Sequence, residues 1–345
     1  MRVVLFKINQ LGDNIAFVPA VQALRERCPD WQITVLTTPN AAELYGGPLG
    51  PQEILTCAKP AFDKSYRRPW ELARWLWTIR RRRPGACLIA FDQSNAAHAV
   101  AKFSGAAVRI GGNLGRIRVG RSLTEEIPLP QDASPVTWNW RMTGALARSF
   151  GRGAGWPDEP PPPDLRHLLT GSRPPSGARR RLVVHAGASR GMNQWPLERF
   201  ASVAASLSRD FEVVWIEHGG TTGRAPPGTT AAPVDSLAGL AAWLAGADLF
   251  LGNNSGPMHL ANALGCPGVA VTGPTAIGWD PYWHRDRWIA LRHPDLYCAP
   301  CEKLTAELPG CMNTANPMAC LGYWTTQRVD AACRRQLERA DGRVP

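Results

Sequence analysis

The 345-residue chain is 44% apolar and 19% charged, a globular composition long enough for two ordinary domains that each bury a core. This excludes a disordered chain. The absence of any apolar stretch near the ~20 residues that span a bilayer argues against a membrane-spanning protein. Lys7 interrupts the N-terminus before a signal-peptide core can form, so a soluble, cytoplasmic protein is expected, one that can still lie against the inner-membrane surface.

The net charge is +11, and arginines cluster at Arg80 to Arg83, at Arg179 to Arg181, and at Arg116, Arg118 and Arg121. Such clusters either attract a phosphate-rich partner (nucleic acid, anionic lipid, phosphorylated glycan) or are merely solvated faces. Nucleic-acid binding has charge alone behind it and no motif. A dinucleotide oxidoreductase is disfavoured, because no G-x-G-x-x-G follows a strand with an acidic residue at the right distance.

In chain order, Arg2 to Ile8 is a short apolar run that reads as a buried strand. Asn9 to Asp13 ends it, and Ile15, Val18, Val21 and Leu24 then keep a helical period. A second strand is predicted at Gln32 to Thr38 and a third at Cys87 to Phe91. Strands alternating with helices indicate parallel βαβ units. From Pro128 onward the chain reads as irregular. Pro157 to Asp164 and the Gly-, Pro- and Arg-rich Ser172 to Arg181 suit a linker. The pattern then restarts, with strands at Leu182 to His185, Phe211 to Ile216, Leu249 to Gly252 and Gly268 to Val271. Helices are predicted at Pro196 to Leu207, Leu237 to Ala245, Pro257 to Leu264 and Thr325 to Arg339, the last with Val329, Cys333 and Leu337 on one stripe. The expected organisation is α/β: a first doubly wound domain at 1–165, a linker at 166–181, a second at 182–324, and a terminal helical segment at 325–345.

The segment Leu249-Phe-Leu-Gly-Asn-Asn-Ser-Gly-Pro-Met-His-Leu260 delivers a strand to a helix start. Ser255 reads as an N-cap, Pro257 fits the first turn, and Gly256 lets the backbone approach a ligand. Free N–H groups and the helix dipole at such a terminus favour a phosphate, with His259 one turn away. The segment reads almost as well as an efficient helix start alone. Gly268-Val-Ala-Val-Thr-Gly-Pro-Thr275 brings a second turn to the same sheet edge.

Together these pieces resemble the heptosyltransferase family, glycosyltransferase family 9. The matching residues are Gly12-Asp13, His185-Ala-Gly-Ala-Ser189 with Trp195-Pro196, and the run from Gly252 through Thr275, in the family's order. The resemblance implies a GT-B fold of two Rossmann-like domains facing a cleft, with the donor in the second domain and the acceptor approaching from the first. It also implies that the terminal helix packs back across the domains. The implied reaction is inverting transfer of a heptose from an ADP-linked donor to a cell-surface glycan or glycolipid such as the lipopolysaccharide inner core, without a cofactor for the chemistry. The alternatives are a protein (autotransporter) acceptor and an impaired homologue that only binds sugar nucleotide.

By position Asp13 matches the family's catalytic acidic residue, where a carboxylate takes the acceptor's proton; it also reads as an acidic residue stabilised by a helix dipole. Lys7 matches a basic position on the same side. The donor-binding candidates are Ser189, Arg190, Asn193, Asn254, Ser255, Gly256 and His259, with Glu217 for the ribose. Two depart from the family: Asn193 stands where a lysine commonly meets the phosphates, and Asn254 where an aspartate is usual. Arg190 is the candidate substitute for that lysine.

Cys298-Ala-Pro-Cys301, Cys311 and Cys320 crowd the segment 294–324. Four sulfurs with one close pair can make a tetrahedral site for zinc or iron, and some family members resembling the autotransporter heptosyltransferases bind iron there. The competing reading is free cysteines in a Pro-rich loop. The expectation carried forward is a structural metal that orders the loop.

Overall fold

The computed structural model describes residues 1–90, 94–112, 117–128, 130, 133–170, 179–218, 220, 222–303, 308 and 310–340. It divides into two compact units, Met1–His167 and Leu168–Pro345. The first contains β1 (Arg2–Lys7), α1 (Leu11–Ile15), α2 (Val18–Arg27), β2 (Gln32–Thr37), β3 (Glu53–Thr56), α3 (Lys59–Ser65), α4 (Pro69–Arg80) and β4 (Ala86–Ile89). It continues with α5 (Asn95–Phe103), β5 (Val108–Gly111), β6 (Glu125–Glu126) and α6 (Pro135–Ser149). The second contains β7 (Arg181–His185), α7 (Leu197–Leu207), β8 (Glu212–Glu217), β9 (Thr230–Pro233), α8 (Leu237–Ala245) and β10 (Leu249–Asn253). After these come α9 (Gly256–Ala263), β11 (Gly268–Val271), β12 (Trp288–Leu291), α10 (Ala319–Gly322) and α11 (Thr326–Ala340).

Among the described residues the strands form two six-stranded sheets, ordered β3-β2-β1-β4-β5-β6 and β12-β11-β10-β7-β8-β9. All their pairings are parallel. Counted from its own first strand, each sheet has the same 3-2-1-4-5-6 order, the doubly wound arrangement. Parallel central strands are covered on both faces, so they read as unbroken apolar runs. In β1 every residue after Arg2 is buried, and in β10 all five are.

Two expectations need correction. Cys87 to Phe91 overlaps the fourth strand and not the third, because β3, a half-buried edge strand of four residues, intervenes. The chain after Pro128 is not irregular throughout. Ser134 accepts a hydrogen bond from the Val136 N–H, Pro135 occupies the first turn, and a 15-residue helix follows that buries Trp138, Trp140, Met142 and Leu146. Proline in a first turn costs no hydrogen bond, so it starts this helix where it would break another. In the second unit α11 buries Val329, Cys333 and Leu337 and packs on α7 and on β10 to β12.

Candidate functional site

In a doubly wound sheet the strand order reverses between the first and fourth strands, and the loops leaving their carboxyl ends part to make room for a ligand. In each unit one buried side chain bridges that point. In the first unit Lys7, at the end of β1, is fully buried, and its Nζ donates to the Ala90 carbonyl beyond β4 at 3.2 Å. In the second unit the Asn253 amide, at the end of β10, donates to the Ala186 and Gly187 carbonyls beyond β7 at 2.8 and 3.3 Å. Asn253 Oδ1 also accepts from the Trp195 N–H at 2.8 Å, which ties the Trp-Pro segment to the same edge. Gly252 is required there, since a Cβ would lie 2.8 Å from the His185 carbonyl oxygen.

Asp13 stands in the first turn of α1, its side chain 16% exposed, with Lys7 Nζ 3.7 Å from Oδ1. A residue the sequence reading passed over sets this turn. Asn14 is fully buried; its Nδ2 donates to the Asn9 and Gln10 carbonyls, both at 3.0 Å. Its Oδ1 accepts from Thr37 Oγ1 at 2.7 Å and from the Tyr45 hydroxyl at 2.9 Å. Burial, with the Asp13 charge adding to it, pushes the Tyr45 phenol well above its ordinary range, so it stays a donor. The only signal for Asn14 in the sequence was its polarity directly before the apolar helical period that begins at Ile15.

In the second unit Ser255 takes the N-cap position of α9, but its hydroxyl donates to the Asn253 carbonyl at 3.3 Å and does not cap. That corrects the expected side-chain cap: the Ser255 side chain makes no cap bond to the first turn of α9. His259, half-buried, lies edge-on to Trp279, ring centroids 5.7 Å apart, and burial lowers its pKa to about 4. At neutral pH it is therefore an uncharged imidazole.

Asn254 is buried; its Nδ2 donates to the Trp279 carbonyl at 3.1 Å and to Asp280 Oδ1 at 3.3 Å. Arg292 grips the same Asp280 carboxylate with two nitrogens, at 2.7 and 2.8 Å, and reaches the Thr275 carbonyl at 2.7 Å. The turn after β11 and the Trp279 segment are thus held by one network. Asn193 ends a 3-10 turn at Gly191–Asn193, with its Oδ1 buried and unbonded. Ser189 is exposed on the loop after β7. Glu217 ends β8, and its Oε1 accepts from the Ala225 N–H at 2.8 Å.

Arg190 pairs with the buried carboxylate of Glu302, and its other nitrogen donates to the Leu308 carbonyl at 2.6 Å. Glu302 in turn donates its N–H to the Pro274 carbonyl at 3.0 Å. The Cys-rich segment is therefore clamped by an ion pair onto the loop beyond β7 and by a backbone hydrogen bond onto the turn beyond β11.

Its four cysteines lie near enough to influence one another, but among the described residues they do not form the expected metal site. Cys298, Cys301, Cys311 and Cys320 are all free thiols, and among the described residues no three His, Cys, Asp or Glu side chains come together to hold a metal. Cys311 Sγ accepts instead from the Met318 N–H at 3.3 Å. Burial, with smaller contributions from the neighbouring thiols, raises the Cys301 thiol and pushes Cys320 up to about 11. The described residues thus give the expected iron or zinc site no support, whereas Glu302 ties the segment to its neighbours.

Two doubly wound, parallel domains in succession define the GT-B fold. Residues 164–311, less than half of the chain, match glycosyltransferase family 9 (heptosyltransferase). Over 320 residues the chain is 25% identical to lipopolysaccharide heptosyltransferase 1 of Pseudomonas aeruginosa, covering 88% of this chain and 87% of that one. It is 39% identical to lipooligosaccharide heptosyltransferase 2 of Campylobacter jejuni over 72 residues, spanning 20% of this chain and only 22% of that relative's length. The fold superposes on E. coli heptosyltransferase WaaC with ADP-2-deoxy-2-fluoro heptose at a TM-score of 0.72 and 18% identity, covering 97% of this chain and 99% of that one.

Proposed function

We propose that the protein is an inverting glycosyltransferase that moves a heptose from an ADP-linked donor to a lipopolysaccharide-type glycan acceptor in the cytoplasm. The observation that carries the reading is the start of α9 at the switch point of β7 and β10, inside the stretch that matches family 9. Backbone N–H groups without a side-chain cap at a helix N-terminus suit a diphosphate. The similarity to lipopolysaccharide heptosyltransferase 1 along most of the chain supports the choice of sugar and acceptor class.

In this reading the acceptor hydroxyl attacks the anomeric carbon of the heptose on the face opposite the diphosphate. Its proton passes to the Asp13 carboxylate, which Lys7 and the Asn14-fixed turn hold in place. ADP departs, its developing charge met by the first turn of α9 in a preformed arrangement. Uncharged His259, backed by Trp279, is placed to donate to a phosphate or sugar oxygen one turn into the helix. Ser189, Asn193 and Glu217 complete the donor candidates.

Calorimetric titration with ADP-heptose, ADP-glucose and UDP-glucose tests the donor, and the anomeric configuration of the product formed on a heptose-deficient lipopolysaccharide tests inversion. Micromolar binding confined to the ADP-sugars, with an inverted product, is the expected result. Preference for the UDP-sugar, or a retained configuration, would overturn the reading.

A further inference from the structure

A surface helix of a globular protein ordinarily keeps its polar residues outward. The helix α4 departs from this. Its inward face is conventional: Ile79 is fully buried, Leu72 and Trp75 pack on the first unit's core, and Trp75 meets Phe62 edge-on at 5.4 Å. Its outward face carries Trp70 and Trp77, which are 71% and 63% exposed. Seven residues apart, the two indoles share one stripe, about 10 Å from each other along the axis. Phe103, 54% exposed, is drawn to the same region, its carbonyl 3.5 Å from Arg80 Nη1.

Cations surround these rings. Between Lys64 and Arg83 the sequence holds eight Lys or Arg and a single acidic residue, Glu71, already paired with Arg68 at 2.9 Å. Arg82 turns inward to Glu53, whereas Arg74, Arg80 and Arg81 stay exposed, Arg81 lying 4.7 Å from the Trp77 ring centroid. Two large apolar side chains in water, without a local need for them, are a cost that an ordinary solvated face avoids.

We propose that this face of α4, with Phe103, docks on the surface of an anionic bilayer. Indole rings settle at the depth of lipid headgroups, and each nearby arginine adds attraction to anionic lipid. The charge of the patch complements that surface, and its convex ridge suits a plane. Single-stranded nucleic acid calls for a basic groove with stacking platforms inside it, which a helix ridge does not offer. A free phosphate would use the arginines and leave the indoles unexplained. Docking does not depend on the transfer reaction and is read without donor or acceptor.

Co-sedimentation of the full chain with phosphatidylglycerol-containing vesicles and with phosphatidylcholine vesicles tests this. Binding to the anionic vesicles is expected to be at least about tenfold tighter and to weaken with salt. The variant Trp70→Ser/Trp77→Ser is expected to lose roughly tenfold or more of it, and Arg74→Gln/Arg80→Gln/Arg81→Gln a similar amount while keeping both indoles. Because these residues are exposed, both variants should melt as the parent does; if the serine variant does not, the glutamine variant decides. Equal partition onto the two vesicle types, parental binding by the variants that fold, or tighter binding of a single-stranded oligonucleotide than of anionic vesicles would overturn the proposal.

Discussion

At the scale of the residue, the two departures from the family pattern differ in what surrounds them. Asn254 is matched to its place. Its Nδ2 faces the Trp279 carbonyl and Asp280, so an aspartate there would set a carboxylate against a carbonyl oxygen and a second carboxylate. Asn254→Asp should therefore destabilise the protein by about 2 kcal/mol, read from urea denaturation at neutral pH; a midpoint unchanged from the parent would mean that the Asp280 network is not what selects asparagine. Asn193 has no such counterpart, since its Oδ1 is buried without a bond. His185 gives a pH prediction. At the end of β7 burial, and then the neighbouring His218, lower its pKa from 6.5 to about 4. The folded state thus holds it neutral while the unfolded chain protonates it first. Stability is complete above about pH 6.5 and declines as pH falls toward 4, by on the order of 2–3 kcal/mol. In His185→Gln that part of the decline should vanish, and denaturation midpoints with an unaltered pH slope would refute the assignment.

At the scale of the element, central strands were legible and edges were not. β1, β7, β10 and β11 are covered on both faces and read as apolar runs, so their places were found within a residue or two. β3, at a sheet edge, has no fully buried residue and left no such trace. The start of α9 was legible from Gly256 and Pro257, but the use of the Ser255 hydroxyl was not, because Asn253 competes for it through its carbonyl. The clamp on the Cys-rich segment was equally hidden, since Arg190 and Glu302 are 112 residues apart. Four nearby cysteines suggest a metal in the sequence, whereas the tie the structure shows is one adjacent glutamate. Arg190→Gln leaves the Glu302 charge buried and unpaired and should cost about 2 kcal/mol, less than a fully buried pair because Arg190 is 24% exposed. Faster proteolysis within 294–324 should accompany it, and Arg190→Met/Glu302→Leu should recover much of the loss. Cleavage no faster than in the parent would place the anchor elsewhere.

At the scale of the whole molecule, one strand order is used twice, and at both reversals a buried polar side chain joins the parting loops: Lys7 in one unit, Asn253 in the other. The repeat of alternating strands and helices was visible in the sequence, as was the family likeness, from Gly12-Asp13 to the run ending at Thr275. The bridges were not, because each depends on which strands become neighbours. In the function proposed, these bridges shape two sites with separate tasks, a carboxylate in the first unit and a helix terminus for diphosphate in the second. Separation of those tasks is the central claim, and ADP release from ADP-heptose with a heptose-deficient lipopolysaccharide, compared between the parent and Asp13→Asn, tests it most directly. In Asp13→Asn kcat is expected to fall by roughly a hundredfold or more while the dissociation constant for ADP-heptose stays within about twofold. Full turnover by Asp13→Asn, or loss of donor binding along with activity, would contradict it.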